Sequence, residues 1–167
     1  YFAQSDQTTI INLTHHSFFN LKGAGNGNVN DHLLQINADY FTPIDDQLIP
    51  TGVIQKVVNT PFDFLLPTQI GSRIDALDDQ LTYGHGYDHN YVLNPSDAIV
   101  SFAARMVEPV SKRTLEVYTN EPGMQFYGGN FLDGTVRGKR DKSYEYRGAF
   151  CLETQHFPDS PNKIQFP

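Results

Sequence analysis

Apolar and polar residues alternate in several short stretches of this chain, with the two-residue period of half-buried β-strands. The pattern predicts strands over residues 8–13, 33–38, 99–106 and 114–119, with turn-forming residues between them. In the third stretch the alternation puts four apolar side chains on one face, namely Val100, Phe102, Ala104 and Met106. No window holds a 3.6-residue apolar stripe for three turns, and residues 69–81 are the best candidate for a short helical turn.

Many short strands separated by turns favour an all-β sandwich or barrel. The chain has 167 residues, which is enough to bury a sizeable core in one domain. It contains no internal repeat, low-complexity tract or clear linker. The sequence therefore predicts a single all-β domain over residues 1–167.

Charge and composition narrow the range of partners. The net charge is −7, and the basic residues are scattered apart from a short cluster at residues 137–140. An acidic chain with one basic loop is not expected to bind nucleic acid. No apolar run approaches the roughly 18 residues of a membrane-spanning helix, so we expect no membrane partner. The single cysteine, Cys151, has no partner for an internal disulfide.

The most informative stretch is residues 148–159. Phe150 and Leu152 alternate there with Cys151, Glu153 and Gln155, so a strand would bury the first two and place Glu153 on its opposite face. A carboxylate held on a rigid strand is suited to general acid/base chemistry. An ordinary solvated strand glutamate is the alternative.

Histidines form a second candidate at residues 12–21. His15 and His16 are adjacent, and on an extended segment they point in opposite directions, so only one can face a given cleft. Histidine titrates near neutral pH and can donate a proton there, which suits a general acid. Both could equally be structural or surface histidines.

Residues 83–91 and 120–131 carry two further polar clusters. The first offers His85, Asp88 and His89 as conceivable metal ligands, but it lacks a cysteine pair or an HExxH helix, so we expect no metal. Its glycines and tyrosines instead suggest a rim where Asp88 accepts hydrogen bonds from sugar hydroxyls.

In the second cluster, residues 120–131, Gln125 can both donate and accept hydrogen bonds beside aromatic rings, as polyol recognition requires. A turn feeding a strand is the alternative for that segment.

Taken together, six motifs resemble the aldose 1-epimerase (galactose mutarotase) family, in the family's order and over nearly the whole chain. They are NLTHHSFFNL at 12–21, IPTG at 49–52, GYDHN at 86–90, PGMQFY at 122–127, GGNFLDG at 128–134 and CLETQHFPD at 151–159. The resemblance implies a large antiparallel β-sandwich of the galactose mutarotase-like supersandwich type. It also implies interconversion of the α and β anomers of an aldose, without a cofactor.

The resemblance assigns roles to four residues. His16 matches the family's general acid at the sugar ring oxygen, and Glu153 matches its general base at the anomeric hydroxyl. Asp88 and Gln125 match residues that bind the sugar. His15 departs from the family pattern, which usually has asparagine at that position.

Parts of the family pattern have no counterpart in residues 1–167. These are a substrate-binding arginine, a second histidine in a His-Gly-Gly type motif and a final strand. We therefore expect the sandwich to be incomplete at both ends, with further polypeptide completing it. We expect a cytoplasmic protein, while secreted and periplasmic locations stay open.

Three other functions stay open at the level of sequence. A non-catalytic carbohydrate-binding domain would use Asp88 and Gln125 without an acid/base pair. A glycoside hydrolase would pair Glu153 with Asp88 across a glycosidic bond. A sugar-phosphate epimerase would need a basic pocket, for which residues 137–140 are the only candidates. His16 with a single dominant carboxylate suits anomer interconversion best.

Overall fold

Two antiparallel sheets make up the fold of the computed structural model, which describes residues 1–167. Nine strands are present: β1 Leu33–Ile36, β2 Tyr40–Thr42, β3 Gln55–Lys56, β4 Thr68–Gln69, β5 Asp88–Val92, β6 Ser101–Val107, β7 Thr114–Thr119, β8 Gly123–Tyr127 and β9 Cys151–Gln155. One sheet has the order β4-β1-β6-β7 and the other the order β3-β2-β5-β8-β9.

Helical structure is confined to short pieces. The α-helix α1 spans Asp79–Tyr83, and single 3₁₀ turns lie at Ile70–Ser72, Lys139–Asp141 and Ser160–Asn162. The side chain of Asp78 caps α1 by accepting hydrogen bonds from the backbone N–H groups of residues 80 and 81. The predicted helical stretch at 69–81 is thus partly right, since only its two ends are helical. None of these helices has the length and apolar character needed to cross a membrane.

The core lies between the two sheets. A cluster of 20 buried residues draws Leu34 and Met106 from the four-stranded sheet and Phe126 and Leu152 from the five-stranded sheet. Each of these side chains is at most 1% exposed, as the two-residue period predicts for the inner face of a strand. The predicted all-β sandwich is confirmed.

One predicted strand is wrong. Residues 8–13 are exposed and form no strand. The stretch 12–19 instead runs antiparallel to β9, the last strand of the five-stranded sheet, and is attached at its two ends. Phe19 and Phe150 exchange backbone hydrogen bonds of 2.9 Å, and the side chain of Asn12 bonds both backbone groups of His156. The β-branched residues of 8–13 do not form a strand, because no other strand lies beside them to supply backbone hydrogen bonds.

A second prediction fails inside β6. A bulge between Phe102 and Ala104 inserts one extra residue, which reverses the alternation on its N-terminal side. Phe102 consequently lies opposite Tyr118, on the outer face with Arg105, and not in the core with Met106. Val100 precedes the strand and is half-exposed. The predictions for residues 33–38 and 114–119 hold, because neither stretch contains a bulge.

The packing of Phe126 gives a test of the fold. Phe126 is fully buried, so the change Phe126→Ala removes a large apolar group and leaves a cavity. We expect the free energy of unfolding, measured by urea denaturation, to fall by about 3–5 kcal/mol. Phe2 is 90% exposed, so Phe2→Ala is the matched control and should change it by less than about 0.5 kcal/mol. Equal effects of the two substitutions would contradict this packing.

Candidate active site

The outer face of the five-stranded sheet carries a patch of polar side chains. Strands β5, β8 and β9 are neighbours, and their register places Asn90 opposite Gln125 and Gln125 opposite Glu153. Every second residue on each strand shares that face. The patch therefore consists of Asp88, Asn90, Gln125, Tyr127, Cys151, Glu153 and Gln155.

His16 reaches this patch from the stretch that runs along β9. Its Nε2 atom lies 3.3 Å from Oε1 of Glu153, and its Nδ1 atom lies 3.3 Å from Sγ of Cys151. The imidazole also packs against two aromatic rings, with centroid distances of 4.9 Å to Phe18 and 5.8 Å to Tyr127. The side chain of His16 is 51% exposed and that of Glu153 only 9%, so the pair has one open side.

Hydrogen bonds between side chains orient the sugar-binding candidates. Gln125 donates from Nε2 to Oδ1 of Asp88 at 2.8 Å. Gln155 donates to Oδ1 of Asn90 at 3.2 Å and to Oε1 of Gln125 at 3.5 Å. Because Gln155 donates toward the oxygen end of the Gln125 amide, the nitrogen end is directed at Asp88. The second carboxylate oxygen of Asp88 is left for another partner.

The structure brings the four sequence-predicted residues onto one face of one sheet. His16 contacts Glu153, Glu153 is paired with Gln125 across the strands, and Gln125 contacts Asp88. His15 does not contact Glu153, and its Nδ1 atom is buried without a hydrogen-bond partner. The roles of the four residues in catalysis remain predictions.

Burial sets the electrostatics of the two carboxylates. Desolvation raises the pKa of Glu153 to about 7, against the lowering effect of His16 and together with the raising effect of Asp88. Desolvation likewise raises the pKa of Asp88, while the Gln125 hydrogen bond and the charge of His16 lower it. Glu153 is therefore poised to gain or lose a proton near neutral pH, which is what acid/base catalysis requires.

Sequence reasoning missed three neighbours of the pair. Cys151 contacts His16, Tyr127 packs on its ring, and Gln155 orients Gln125. The two-residue period could have found all three, because each lies two positions from a predicted site residue on the same strand.

The residues considered as metal ligands in the 83–91 cluster are separated. His89 is fully buried on the opposite face of β5 from Asp88, its ring packs on Phe41 and Phe62, and burial lowers its pKa to about 3. His85 lies outside the strand, beside Phe131. Adjacent strand residues point to opposite faces, so Asp88 and His89 do not converge on one ion.

A different trio has metal-ligating atoms close together. One nitrogen of His16, the sulfur of Cys151 and a carboxylate oxygen of Glu153 lie within 4.8 Å of one another. However, Cys151 faces Nδ1 of the imidazole and Glu153 faces Nε2. The lone pairs of the two ring nitrogens diverge, so one ion would not meet all three ligands unless the ring turned. The arrangement fits two hydrogen bonds better than a metal centre.

The basic loop does not form an anion site in this structure. Arg137 pairs with Asp141 of its own turn, and both side chains are exposed. A cavity of about 600 Å³ adjoins this loop and shares Phe18 with the candidate site. Its walls are mostly apolar and include a single basic side chain, Lys139.

The sequence model of the family described as aldose 1-epimerase matches residues 1–167. This chain belongs to the aldose 1-epimerase family. The galactose mutarotase of Mus musculus is 49% identical to it over 167 residues, which are 100% of this chain and 47% of that protein. The chain thus spans about half the length of the curated relatives it matches.

Solved structures of aldose epimerases have the same fold. The GalM/aldose epimerase homologue from C. elegans superposes with a TM-score of 0.81 at 31% identity, covering 94% of this chain and 45% of that one. The galactose 1-epimerase from Lactobacillus acidophilus NCFM superposes with a TM-score of 0.77 at 32% identity, covering 92% of this chain and 42% of that one. The predicted antiparallel sandwich of this family is confirmed.

The buried carboxyl of Glu153 predicts a pH-dependent stability. Its pKa is raised from 4.5 to about 7 in the folded chain, so the unfolded chain loses this proton at lower pH. Ionisation of Glu153 then favours unfolding, and its contribution to stability falls as pH rises from 4.5 to about 7 and is constant above. Glu153→Gln removes this dependence, so the variant should gain stability relative to the parent chain across that window, by a few kcal/mol at most.

Urea denaturation between pH about 4 and about 8 measures the difference. Glu145→Gln is the control, because Glu145 is exposed and lies outside the candidate site. If the free energies of unfolding of Glu153→Gln and of the parent chain changed with pH in the same way, the pKa of Glu153 would not be raised by burial.

Proposed function

We propose that this chain carries the acid/base pair and part of the sugar site of an aldose 1-epimerase, which interconverts the α and β anomers of a hexose such as glucose or galactose. The observation that carries the proposal is the contact of 3.3 Å between His16 and the buried Glu153. The neighbouring pair of Asp88 and Gln125 supports it, because it offers directed hydrogen bonds for sugar hydroxyls. The names of the relatives, galactose mutarotase and aldose 1-epimerase, agree with this function.

The proposed reaction needs two proton transfers. Ionised Glu153 removes the proton of the anomeric hydroxyl, while His16 donates a proton from Nε2 to the ring oxygen. The C1–O5 bond breaks and leaves an open-chain aldehyde. Rotation about C1–C2 presents the other face of the aldehyde, and ring closure reverses both transfers. Groups of this kind each contribute about 10²–10⁴-fold to the rate.

The sugar would take the place of the direct contact between the pair. His16 is half-exposed and belongs to a stretch without regular structure, whereas Glu153 is fixed in β9. The imidazole is therefore the partner that moves to admit the sugar, by turning about its Nδ1 contact with Cys151. Asp88 on β5 and Gln125 on β8 would bind hydroxyls on the other side of the sugar ring.

The geometry is less suited to the other functions. A glycoside hydrolase needs Asp88 as a second acid or base. Asp88 instead accepts a hydrogen bond from Gln125, and it shares the imidazole of His16 with Glu153 as a charged neighbour. A binding domain does not need the contact of 3.3 Å between an imidazole and a buried carboxylate. The basic loop supplies one lysine to an apolar cavity, which is a poor phosphate pocket.

Glu153→Gln tests the function. We expect mutarotation of fresh α-D-galactose and α-D-glucose, followed by polarimetry, to slow by about 10²–10⁴-fold, because glutamine takes up no proton. Glu116→Gln serves as the control and should leave the rate unchanged, since Glu116 lies on the other sheet. Equal rates for Glu153→Gln and the parent would exclude Glu153 as the base.

We further propose that additional polypeptide packs against this chain and completes the sandwich. Large apolar side chains are exposed along residues 1–13, among them Tyr1, Phe2, Ile10 and Ile11. A surface of this kind favours association with other polypeptide. The relatives are about twice the length of the chain, which supports the same proposal.

Residues 1–167 expressed alone should therefore self-associate and mutarotate weakly. Sedimentation velocity and polarimetry on the same preparation measure the two properties. The double substitution Ile10→Ser, Ile11→Ser should reduce the association, whereas Val110→Ser, an exposed residue of the β6–β7 turn, should not. A monomer with the turnover of a full-length relative would refute the proposal.

A further inference from the structure

We propose that Cys151 is a positioning residue, whose thiol holds the imidazole of His16 with Nε2 directed at Glu153 and at the sugar. The geometry that carries the proposal is a ring held at both nitrogens. Sγ of Cys151 lies 3.3 Å from Nδ1, and Oε1 of Glu153 lies 3.3 Å from Nε2. The positioning of His16 by Cys151 rests on this geometry alone. The effect of Cys151 on the rate of mutarotation rests on the proposed function.

His16 needs such a contact because its own backbone gives it little support. Residues 13–17 form no strand, and apart from the contacts of His16 itself the stretch is attached beside β9 through Phe19 and Asn12. The rings of Phe18 and Tyr127 pack on the imidazole but do not distinguish its edges. A half-turn of the ring would exchange the nitrogen and carbon positions, and only hydrogen bonds make the two orientations unequal.

Cys151 is itself firmly placed. It is the first residue of β9, lies opposite Tyr127 in the ladder and is fully buried. Burial raises the pKa of its thiol, and the carboxylates of Glu153 and Asp88 raise it further. The group is therefore a neutral S–H, which can both donate and accept a weak hydrogen bond.

This dual capacity matches what His16 does in the proposed reaction. When the imidazole carries both protons, Nδ1–H donates to Sγ. After the Nε2 proton passes to the sugar ring oxygen, Nδ1–H stays in place and Sγ still accepts. When the neutral ring carries its proton on Nε2, the thiol rotates and S–H donates to Nδ1. No bond to sulfur forms or breaks, and the thiol keeps its proton throughout.

Two simpler roles fit less well. A cysteine that only fills space belongs with the core, yet this side chain points to the polar face, between Glu153 and the imidazole. A nucleophilic cysteine needs a lowered pKa, and the surroundings of Cys151 act in the opposite direction. The titratable groups that face His16 are Glu153 and Cys151 from β9, Tyr127 from β8 and Asp88 from β5.

The test uses ¹⁵N-histidine NMR on residues 1–167 and on Cys151→Ala and Cys151→Ser. His16→Gln identifies the resonances of His16 among the six histidines. In the parent chain the neutral ring should carry its proton on Nε2, with Nδ1 accepting a hydrogen bond. Cys151→Ala should shift the Nδ1 resonance and lower the Nε2–H population, and Cys151→Ser should restore both, because a hydroxyl also donates and accepts.

Polarimetry on the same variants, each made together with the polypeptide that completes the sandwich, supplies the catalytic arm. Cys151→Ala should lower kcat by about 10- to 100-fold, as expected for a misplaced proton donor, with KM changed far less. Cys151→Ser should recover most of that loss. A completed parent protein without mutarotase activity would count against the proposed function, while the NMR result would still decide the placement.

Three outcomes would overturn the proposal. One is an Nδ1 resonance of His16 in the parent chain that shows no hydrogen bond, a result that needs no variant to fold. Another is a His16 spectrum that Cys151→Ala leaves unchanged. The third is a folded Cys151→Ser chain whose His16 spectrum matches that of the alanine variant.

Discussion

The pairing register of β8 with β9 is the constraint on which the site depends. Backbone hydrogen bonds set Gln125 against Glu153 and Phe126 against Leu152, so one ladder fixes a polar pair on one face and an apolar pair on the other. A slip of one residue would exchange the faces and bury the carboxylate in the sandwich. The burial of Phe126 and Leu152 opposes that slip, because both would lose their places in the core. The hydrophobic core thus maintains the register that the polar face needs.

Glu153 owes its properties to being neither in the core nor in open solvent. On the core side it would lie among the apolar side chains between the sheets and away from His16. In full exposure its pKa would stay near the ordinary value. The outer face of β9, covered by the stretch that carries His16, gives partial desolvation together with an imidazole neighbour. The two influences oppose each other, which leaves the carboxyl able to titrate near neutrality.

Alternation in the sequence was enough to predict the parts of the fold that depend on one strand alone. It assigned Phe150 and Leu152 to the core and Glu153 to the other face, and both assignments agree with the structure. It failed at Phe102, because a bulge is a property of two paired strands and leaves no mark in the period of either one. It also failed at residues 8–13, where β-branched residues have no strand to pair with. The approach of His16 to Glu153 spans more than 130 positions in the chain, so it came from the family resemblance and not from periodicity.

The stretch that delivers His16 also lies along the outer edge of β9, where the five-stranded sheet ends. An uncovered edge presents free backbone groups to any other extended chain. Residues 12–19 occupy that position while forming only one β-bridge with it, so they shield the edge without extending the sheet. Local opening of this stretch would separate the imidazole of His16 from the carboxylate of Glu153 and would also expose the unpaired edge of β9. The two packed sheets would stay intact. Loss of the contact between His16 and Glu153 and the onset of aggregation are thereby tied to a single local motion.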